Sequence, residues 1–395
     1  MSKWEIVKLG EVFSFIRNGA SIKQGVIGGG YPITRIETIA NNEVDRNKMG
    51  YAGIYDTSKV SSYVLRTGDI LMSHINSEKH LGKTAVYEQI QNEIVLHGMN
   101  LLCLRPIETL INFKYTHYFF KSNAFKYQIP KITKKSVNQA SFTVTALKEL
   151  LFPLPPLETQ IQIAKTLDTS AELLAMRKQQ LAELDNLTKS IFYDMFGDPV
   201  SNEKGWGTKA LLSVGKFISG GTPSKERDDY WKGNFPWVSP KDMKVPYISA
   251  PQNFISDKVF EETSLKKIAP GHLLIVVRGM ILAHTFPTAI NNVEVSINQD
   301  MKAIKPIDEF NVIYLKNCLD NMTHQILEIV TTAGHGTKKF DADSMEKVSI
   351  PLPSLHLQNQ FATIVTKIEE QKALVQKAID EMQHLFDSLM SEYFE

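Results

Sequence analysis

The chain has 395 residues, 43% of them apolar and 22% charged, a make-up that fits one to three globular domains and excludes wholesale disorder or collagen-like repetition. No run of about 18 apolar residues offers a transmembrane helix, and Cys103 and Cys318 are too few for a disulfide framework or a structural zinc site. Forty-four basic residues against 43 acidic ones mean that any nucleic-acid role needs positive charge that is local or supplied by a partner.

In chain order, Met1-Ser2-Lys3-Trp4-Glu5 lacks an apolar leader, so the expected home is the reducing cytoplasm. Residues 1–152 mix short strands, such as Asp69-Ile70-Leu71-Met72-Ser73 and Asn100-Leu101-Leu102-Cys103-Leu104, with a helical stretch from Phe113 to Ile129. Residues 153–198 open on Pro153-Leu154-Pro155-Pro156-Leu157 and continue without glycine or proline to Phe196, where Gly197-Asp198-Pro199 stops the helix. Residues 199–350 return to the mixed pattern, with strands at Leu273–Val277 and Met301–Ile304 and a helical stretch from Asn311 to Ile329. Residues 351–395 form a second uninterrupted helix, with Ser354 placed as its N-cap.

The chain is therefore written twice. Phe152-Pro153-Leu154-Pro155-Pro156-Leu157 returns 198 positions later as Ile350-Pro351-Leu352-Pro353-Ser354-Leu355. Gln160, Gln162 and Ala164 then fall on Gln358, Gln360 and Ala362, and Leu187 and Ser190 on Leu385 and Ser388. The globular stretches agree more loosely: Trp4, Leu9, Ile16 and Gly19 fall on Trp206, Leu211, Ile218 and Gly221.

Both helices carry seven-spaced apolar columns. In the first these hold Leu167, Leu174 and Leu181, and Ile163, Leu184 and Ile191. In the second they hold Ile368, Val375, Met382 and Leu389, and Ile379 and Phe386. Sustained heptads predict a coiled coil, with Ser170, Arg177, Thr188 and Lys372 as polar seam positions that fix register. Because each helix leaves one globular half and heads for the other, the pair is antiparallel. A helix of roughly 38 residues would span about 57 Å. The expected fold class is mixed α/β: two similar globular domains, separated by two long helices, in a pseudo-two-fold internal repeat.

The loops carry the polarity. Lys23 and Gln24 end one glycine-containing loop, and Thr222, Ser224 and Lys225 end its counterpart. Lys134, Lys135, Asn138 and Gln139 face His335, Lys338 and Lys339 across the repeat. Lysine neutralises phosphate, and amide side chains pair with adenine edges, so these loops are candidate DNA contacts. Arg35 and Arg278 are further candidates, each also able to pair with a local carboxylate. Asn298-Gln299-Asp300, just before the strand at Met301, reads as a turn or as part of such a surface.

Catalytic patterns are missing. Gly82-Lys83-Thr84 lacks the P-loop glycine, since Ser77 stands there, and Gly28-Gly29-Gly30 lacks dinucleotide-binding spacing. His74, His80, His272 and His284 are scattered, with no zinc spacing, and no Asn-Pro-Pro-aromatic run of an adenine methyltransferase occurs. Neither a cofactor nor a metal is expected, and a binding module fits better than an enzyme. A coiled-coil scaffold, or a methyltransferase or nuclease with an unrecognised site, are the alternatives.

The Pro-Leu-Pro segments with Gln160 and Gln358, the tryptophans Trp4 and Trp206, and Met195-Phe196-Gly197 resemble the specificity subunits of type I restriction–modification systems over essentially the whole chain. The second copy has His356-Leu357 where that family has acidic or polar residues. The resemblance implies that each globular half is a target-recognition domain for one half of a split, asymmetric site on double-stranded DNA. It implies that the helices set the gap and dock two adenine-methylating modification subunits, which can recruit restriction subunits. It implies no catalytic residue in this chain and no membrane partner.

Overall fold

The computed structural model describes residues 4–22, 25, 28–39, 41–137, 139–332 and 336–395. The chain divides into two compact units, residues 1–178 with 377–395, and residues 179–376. Each unit holds one globular half, the beginning of the long helix that leaves it and the end of the other long helix.

In the first unit, strands Phe13–Asn18, Leu102–Pro106, Ile70–Met72 and Thr84–Val86 lie side by side in that order as an antiparallel sheet. In the second, Gly215–Ser219, Met301–Pro306, Leu273–Val276 and Thr288–Asn291 repeat the arrangement, and Tyr247–Ile248 adds a fifth strand. The central strands are solidly apolar because both faces are covered. The two helical stretches are broken into short pieces, Phe113–Lys121, Asn123–Lys126 and Ile129–Ile132 in one half, Val312–Asn321 and Thr323–Ile329 in the other.

Pairing registers correct the sequence alignment by one residue. Phe13 and Gly215 both face a proline, Pro106 and Pro306, but Phe15 faces Arg105 as Lys216 faces Lys305. Ser14 is thus an extra residue in a bulge. Beyond it Ile16 matches Phe217, not Ile218, and Gly19 matches Gly220, not Gly221. The backbone agrees: Ala20 N–H donates to the His97 carbonyl at 2.8 Å, and Gly221 N–H to that of Ile297 at 2.9 Å.

The Pro-Leu-Pro segments are strands. Leu151–Leu154 pairs antiparallel with Glu5–Lys8, and Ser349–Leu352 with Gly207–Ala210. Each proline run thereby closes its half, tying the last strand to the first. The long helices then run Leu157–Phe196 and Leu355–Phe394. Ser354 caps the second, its Oγ accepting the Leu357 N–H at 3.4 Å.

A glutamine locks each helix start. Gln160 is fully buried; its Nε2 donates to the carbonyls of Leu110 and Pro155, and its Oε1 accepts the Asn112 N–H at 2.9 Å. Gln358 makes the same three bonds, to Glu309, Pro353 and Asn311. Tyr115 and Tyr314 donate their hydroxyls to Pro153 and Pro351 carbonyls.

Helix pairing is antiparallel within each unit. Ile163, Ala164 and Leu167, near the start of the first helix, share a core with Phe394 and Leu389, at the end of the second. Phe192 and Phe196, at the end of the first, share a core with Phe361 and Val365, near the start of the second. All the apolar seam positions read from the sequence are buried or half-buried, as are Ser170, Thr188 and Lys372; Arg177 is exposed instead.

Candidate nucleic-acid interface

Near one end of each sheet a β-hairpin and two loops come together. In the first half Lys134–Lys135 pairs with Ala140–Ser141, which pairs in turn with Ile75–Asn76. Ser136 closes the turn, its N–H and Oγ both donating to the Gln139 carbonyl at 2.8 and 2.9 Å. Val137 at the tip is 98% exposed. Lys134 is exposed and has no carboxylate partner among the described residues, whereas Lys135 Nζ lies 2.7 Å from Glu78.

In the second half Thr331–Thr332 pairs with Lys338–Lys339, and Lys339 bridges Arg278. The hairpins are equivalent, since Ser141 faces Ile75 as Lys339 faces Arg278. Their lysines are not. Lys134 and Lys135 ride on the outer strand, Lys338 and Lys339 on the inner one. The charge is common to both surfaces but is delivered from different backbone positions. Lys338 Nζ donates to Thr332 Oγ1 at 3.0 Å, and Lys339 Nζ lies 3.6 Å from Asp341.

The segment Asn298-Gln299-Asp300 joins the predicted residues of the second half. The Thr222 hydroxyl donates to Gln299 Oε1. The Asp300 carbonyl accepts the N–H groups of Val277 and Arg278 at 2.8 and 3.2 Å. Thr222, Arg278, Lys338 and Lys339 thereby meet through a stretch that the sequence left open as a turn. The signal was its position, directly before a sheet strand and beside a glycine loop.

A recess of about 690 Å³ opens at this place, lined by Thr222, Lys225, Trp231, Lys241, Asn253 and Gln299 among others. Two indoles hold its loop. Trp237 Nε1 donates to the Gly221 carbonyl and Trp231 Nε1 to that of Ser224, each at 3.1 Å. The rings meet edge to face at 5.1 Å. Lys225 and Lys241 are exposed. The sequence reading did not single out Trp231, Lys241 or Asn253.

Arg35 lies 3.8 Å from Glu37, the local pairing anticipated for it. Lys23, Gln24, Asn138 and His335 lie outside the described residues. Gly82-Lys83-Thr84 forms a turn into the strand Thr84–Val86 rather than a helix N-terminus, so it is not a phosphate loop.

The lysine-bearing hairpin, able to neutralise phosphates, occurs in both halves on one scaffold, and the second half adds the Gln299 amide beside it. Those are the features of a two-part reader of nucleic acid. The family model for the type I restriction modification DNA specificity domain matches residues 1–186 and again 203–384. The chain belongs to that family.

Among relatives, a putative type I restriction enzyme specificity subunit, MjaX, of Methanocaldococcus jannaschii is 33% identical over 96% of this chain and 87% of its own length. The EcoR124I/EcoR124II specificity subunit of Escherichia coli is 30% identical over 55% of this chain and 53% of its own. The crystal structure of a type I restriction-modification S subunit from M. genitalium covers the whole chain and 96% of its own, with a TM-score of 0.61 at 14% identity. A chain from a structural study of assembly and conformational transition in the type I R-M system covers 99% of this one and 97% of its own, with a TM-score of 0.59 at 18% identity.

Proposed function

We propose that this chain is the DNA-specificity subunit of a type I restriction–modification complex, each globular half reading one half of a split site. One observation carries the reading. A single scaffold, held by matching strands, glutamine locks and hairpins, occurs twice, while its loop surfaces differ in the residues they present. Two identical readers would recognise a repeated half-site; two diverged ones recognise an asymmetric site.

The chemistry belongs to partner subunits, which methylate adenine and, where present, translocate and cleave. The long helices are their docking surface. Met176 and Leu374, which are equivalent across the repeat, are both exposed, as are Leu187 and Leu385. Apolar side chains left outside at matching places suit two copies of one partner. Loop lysines supply positive charge locally on a chain of near-zero net charge, and partners complete the DNA clamp.

The test is a methylome. The chain is co-expressed with the modification subunit encoded beside it, in a host without adenine methylation. A split motif with two defined halves and a fixed gap is expected. Exchanging residues 199–350 for those of another family member should change one half alone. Absence of methylation from an assembled complex would overturn the reading.

A further inference from the structure

The two halves place one exposed residue at the same point of the candidate interface, and its chemistry differs. Gly19 and Gly220 are the equivalent glycines of the first loop in each half. A Cβ on Gly19 would fall 2.3–2.4 Å from the carbonyls of His97 and Gly98, and one on Gly220 2.2–2.3 Å from those of Ile297 and Asn298. Only glycine permits this close approach. The two chains are thus pressed together in the same way in both halves, and the following residues correspond one to one.

Further bonds hold the correspondence. Gly98 N–H donates to Thr34 Oγ1 at 2.9 Å, and Asn298 N–H to the Val238 carbonyl at 2.9 Å. The strands that follow begin in step, Leu102 facing Asn18 as Lys302 faces Ser219. Between the glycine contact and the strand stands Met99 in the first half and Gln299 in the second. Both are exposed, Met99 at 48%.

Met99 fills no interior gap, the usual place for Met in a fold, but stands half-exposed on a loop held by the glycine contact. Gln299 is restrained: Thr222 donates to its Oε1, and the second Oε1 lone pair and the Nε2 donors are still able to serve a base edge. Ser21 occupies Thr222's place in the first half, but Met99 has no amide for it to hold. One half therefore offers a soft apolar tip and the other a restrained amide.

Major-groove chemistry assigns each a ligand. An amide makes paired bonds to adenine N6 and N7, whereas an apolar group packs on the thymine methyl. Resting on the function proposed above, we infer that Met99 and Gln299 are equivalent base-reading positions, the first half reading a thymine methyl and the second an adenine edge. The position also accounts for half-sites that differ although the scaffold does not.

The experiment uses the full chain in complex with its modification subunit and reads the methylated motif for the native protein, Met99→Gln and Gln299→Met. Gln299→Met should lose adenine preference, by about 5- to 150-fold, at one position of the half-site that exchange of residues 199–350 alters. Met99→Gln should lose thymine preference at one position of the other half-site. Competition binding to duplexes randomised at those positions gives a readout independent of methylation. Unchanged motifs in both variants, or an equal loss on all sequences while the complex stays assembled, would overturn the assignment. If the native complex shows no split motif, the functional reading itself fails, and that result is distinct from inert substitutions in a working reader.

Discussion

Lys372, the one polar residue in the seam of the second long helix, places its Nζ 2.7 Å from Asp185 on the first and 2.8 Å from Glu369 on its own. Burial pulls the Lys372 ammonium down, but the two carboxylates outweigh it and hold it above its ordinary value. Asp185 remains well exposed, so the pair adds little stability. Its effect is on register, since an antiparallel slip by one heptad would bring Lys178 or Phe192 to the place of Asp185 and cost the ammonium its cross-helix partner.

Lys372→Leu is accordingly expected to leave the melting temperature near or above that of the native chain, because the remaining carboxylates reach solvent. A Lys372→Ala, Asp185→Ala double-mutant cycle should give a coupling of about 0.5–1 kcal/mol that shrinks as salt is raised. Denaturant titrations measure it. A coupling several times larger would mean that the pair is a pillar of stability rather than a guide to register.

Gln160 and Gln358 belong to the opposite case. Each satisfies three backbone groups in a fully buried place, and truncation leaves all three without partners. Gln160→Ala or Gln358→Ala should each cost roughly 2–4 kcal/mol. Tyr115→Phe and Tyr314→Phe, which each remove a single bond to the following proline strand, should cost about 1 kcal/mol. Equilibrium unfolding separates the two classes, and equal losses would contradict the lock described here.

These glutamines also mark what the sequence disclosed and what it withheld. Their recurrence at 198 residues was plain, as were the heptads, because helical spacing is local and tolerates no insertions. Their role was not, since two of the three groups that each satisfies lie about 50 residues away in the chain. The Ser14 bulge hid the true match of Gly19 with Gly220: one inserted residue shifts an alignment but leaves a strand pattern intact. The hairpin lysines misled in the same manner. Equal composition suggested equal positions, and only pairing placed Lys134 and Lys338 on different strands. The halves also solve the same buried corner differently. The Asp69 carboxylate accepts two bonds from the Arg105 guanidinium at 2.7 Å, while at the matching place the backbone N–H of His272 donates to Asn291 Oδ1 at 2.8 Å, so weak identity there conceals a shared backbone.

The first unit should be the more acid-sensitive. Burial pulls the His97 imidazole down to about 4 and His117 to about 3, and lowers His74 as well. Between the folded value and the ordinary 6.5 the unfolded chain binds a proton that the fold refuses, so stability falls as pH drops from about 6.5 toward 4. For His97 the loss is at most roughly 3 kcal/mol. Hydrogen exchange on the full chain at pH 7 and pH 5, corrected for intrinsic rates, should show protection lost first in residues 1–178. His97→Gln should flatten the decline, and equal losses in both units would contradict the assignment.

The glycine approach predicts damage confined to one half-site. Gly220→Ala forces a methyl group against the Ile297 and Asn298 carbonyls and must displace the loop that carries Gln299. Recognition of one half-site should weaken by an order of magnitude or more, while the other half keeps its bases. Gly19→Ala should do the reverse. Methylation sequencing of each variant decides it, and loss of both halves together would indicate unfolding instead.

Lysines at the hairpins should behave unlike the amide, because phosphate contacts position the protein and carry no base information. Among the described residues Lys134 has no carboxylate partner, whereas Lys135 is already engaged by Glu78. Lys134→Ala should therefore weaken binding to all duplexes alike and lower the slope of log K against log salt by about 1. Lys135→Ala should lose less, since its native side chain must first give up an exposed ion pair worth under about 1 kcal/mol. Lys338→Ala should resemble Lys134→Ala, as among the described residues its ammonium is bonded to the neutral Thr332 hydroxyl and to no carboxylate. Binding isotherms of the assembled complex at several salt concentrations, on cognate and scrambled duplexes, measure both quantities. A lysine whose removal alters sequence preference without changing the salt slope would have to be reassigned from phosphate to base.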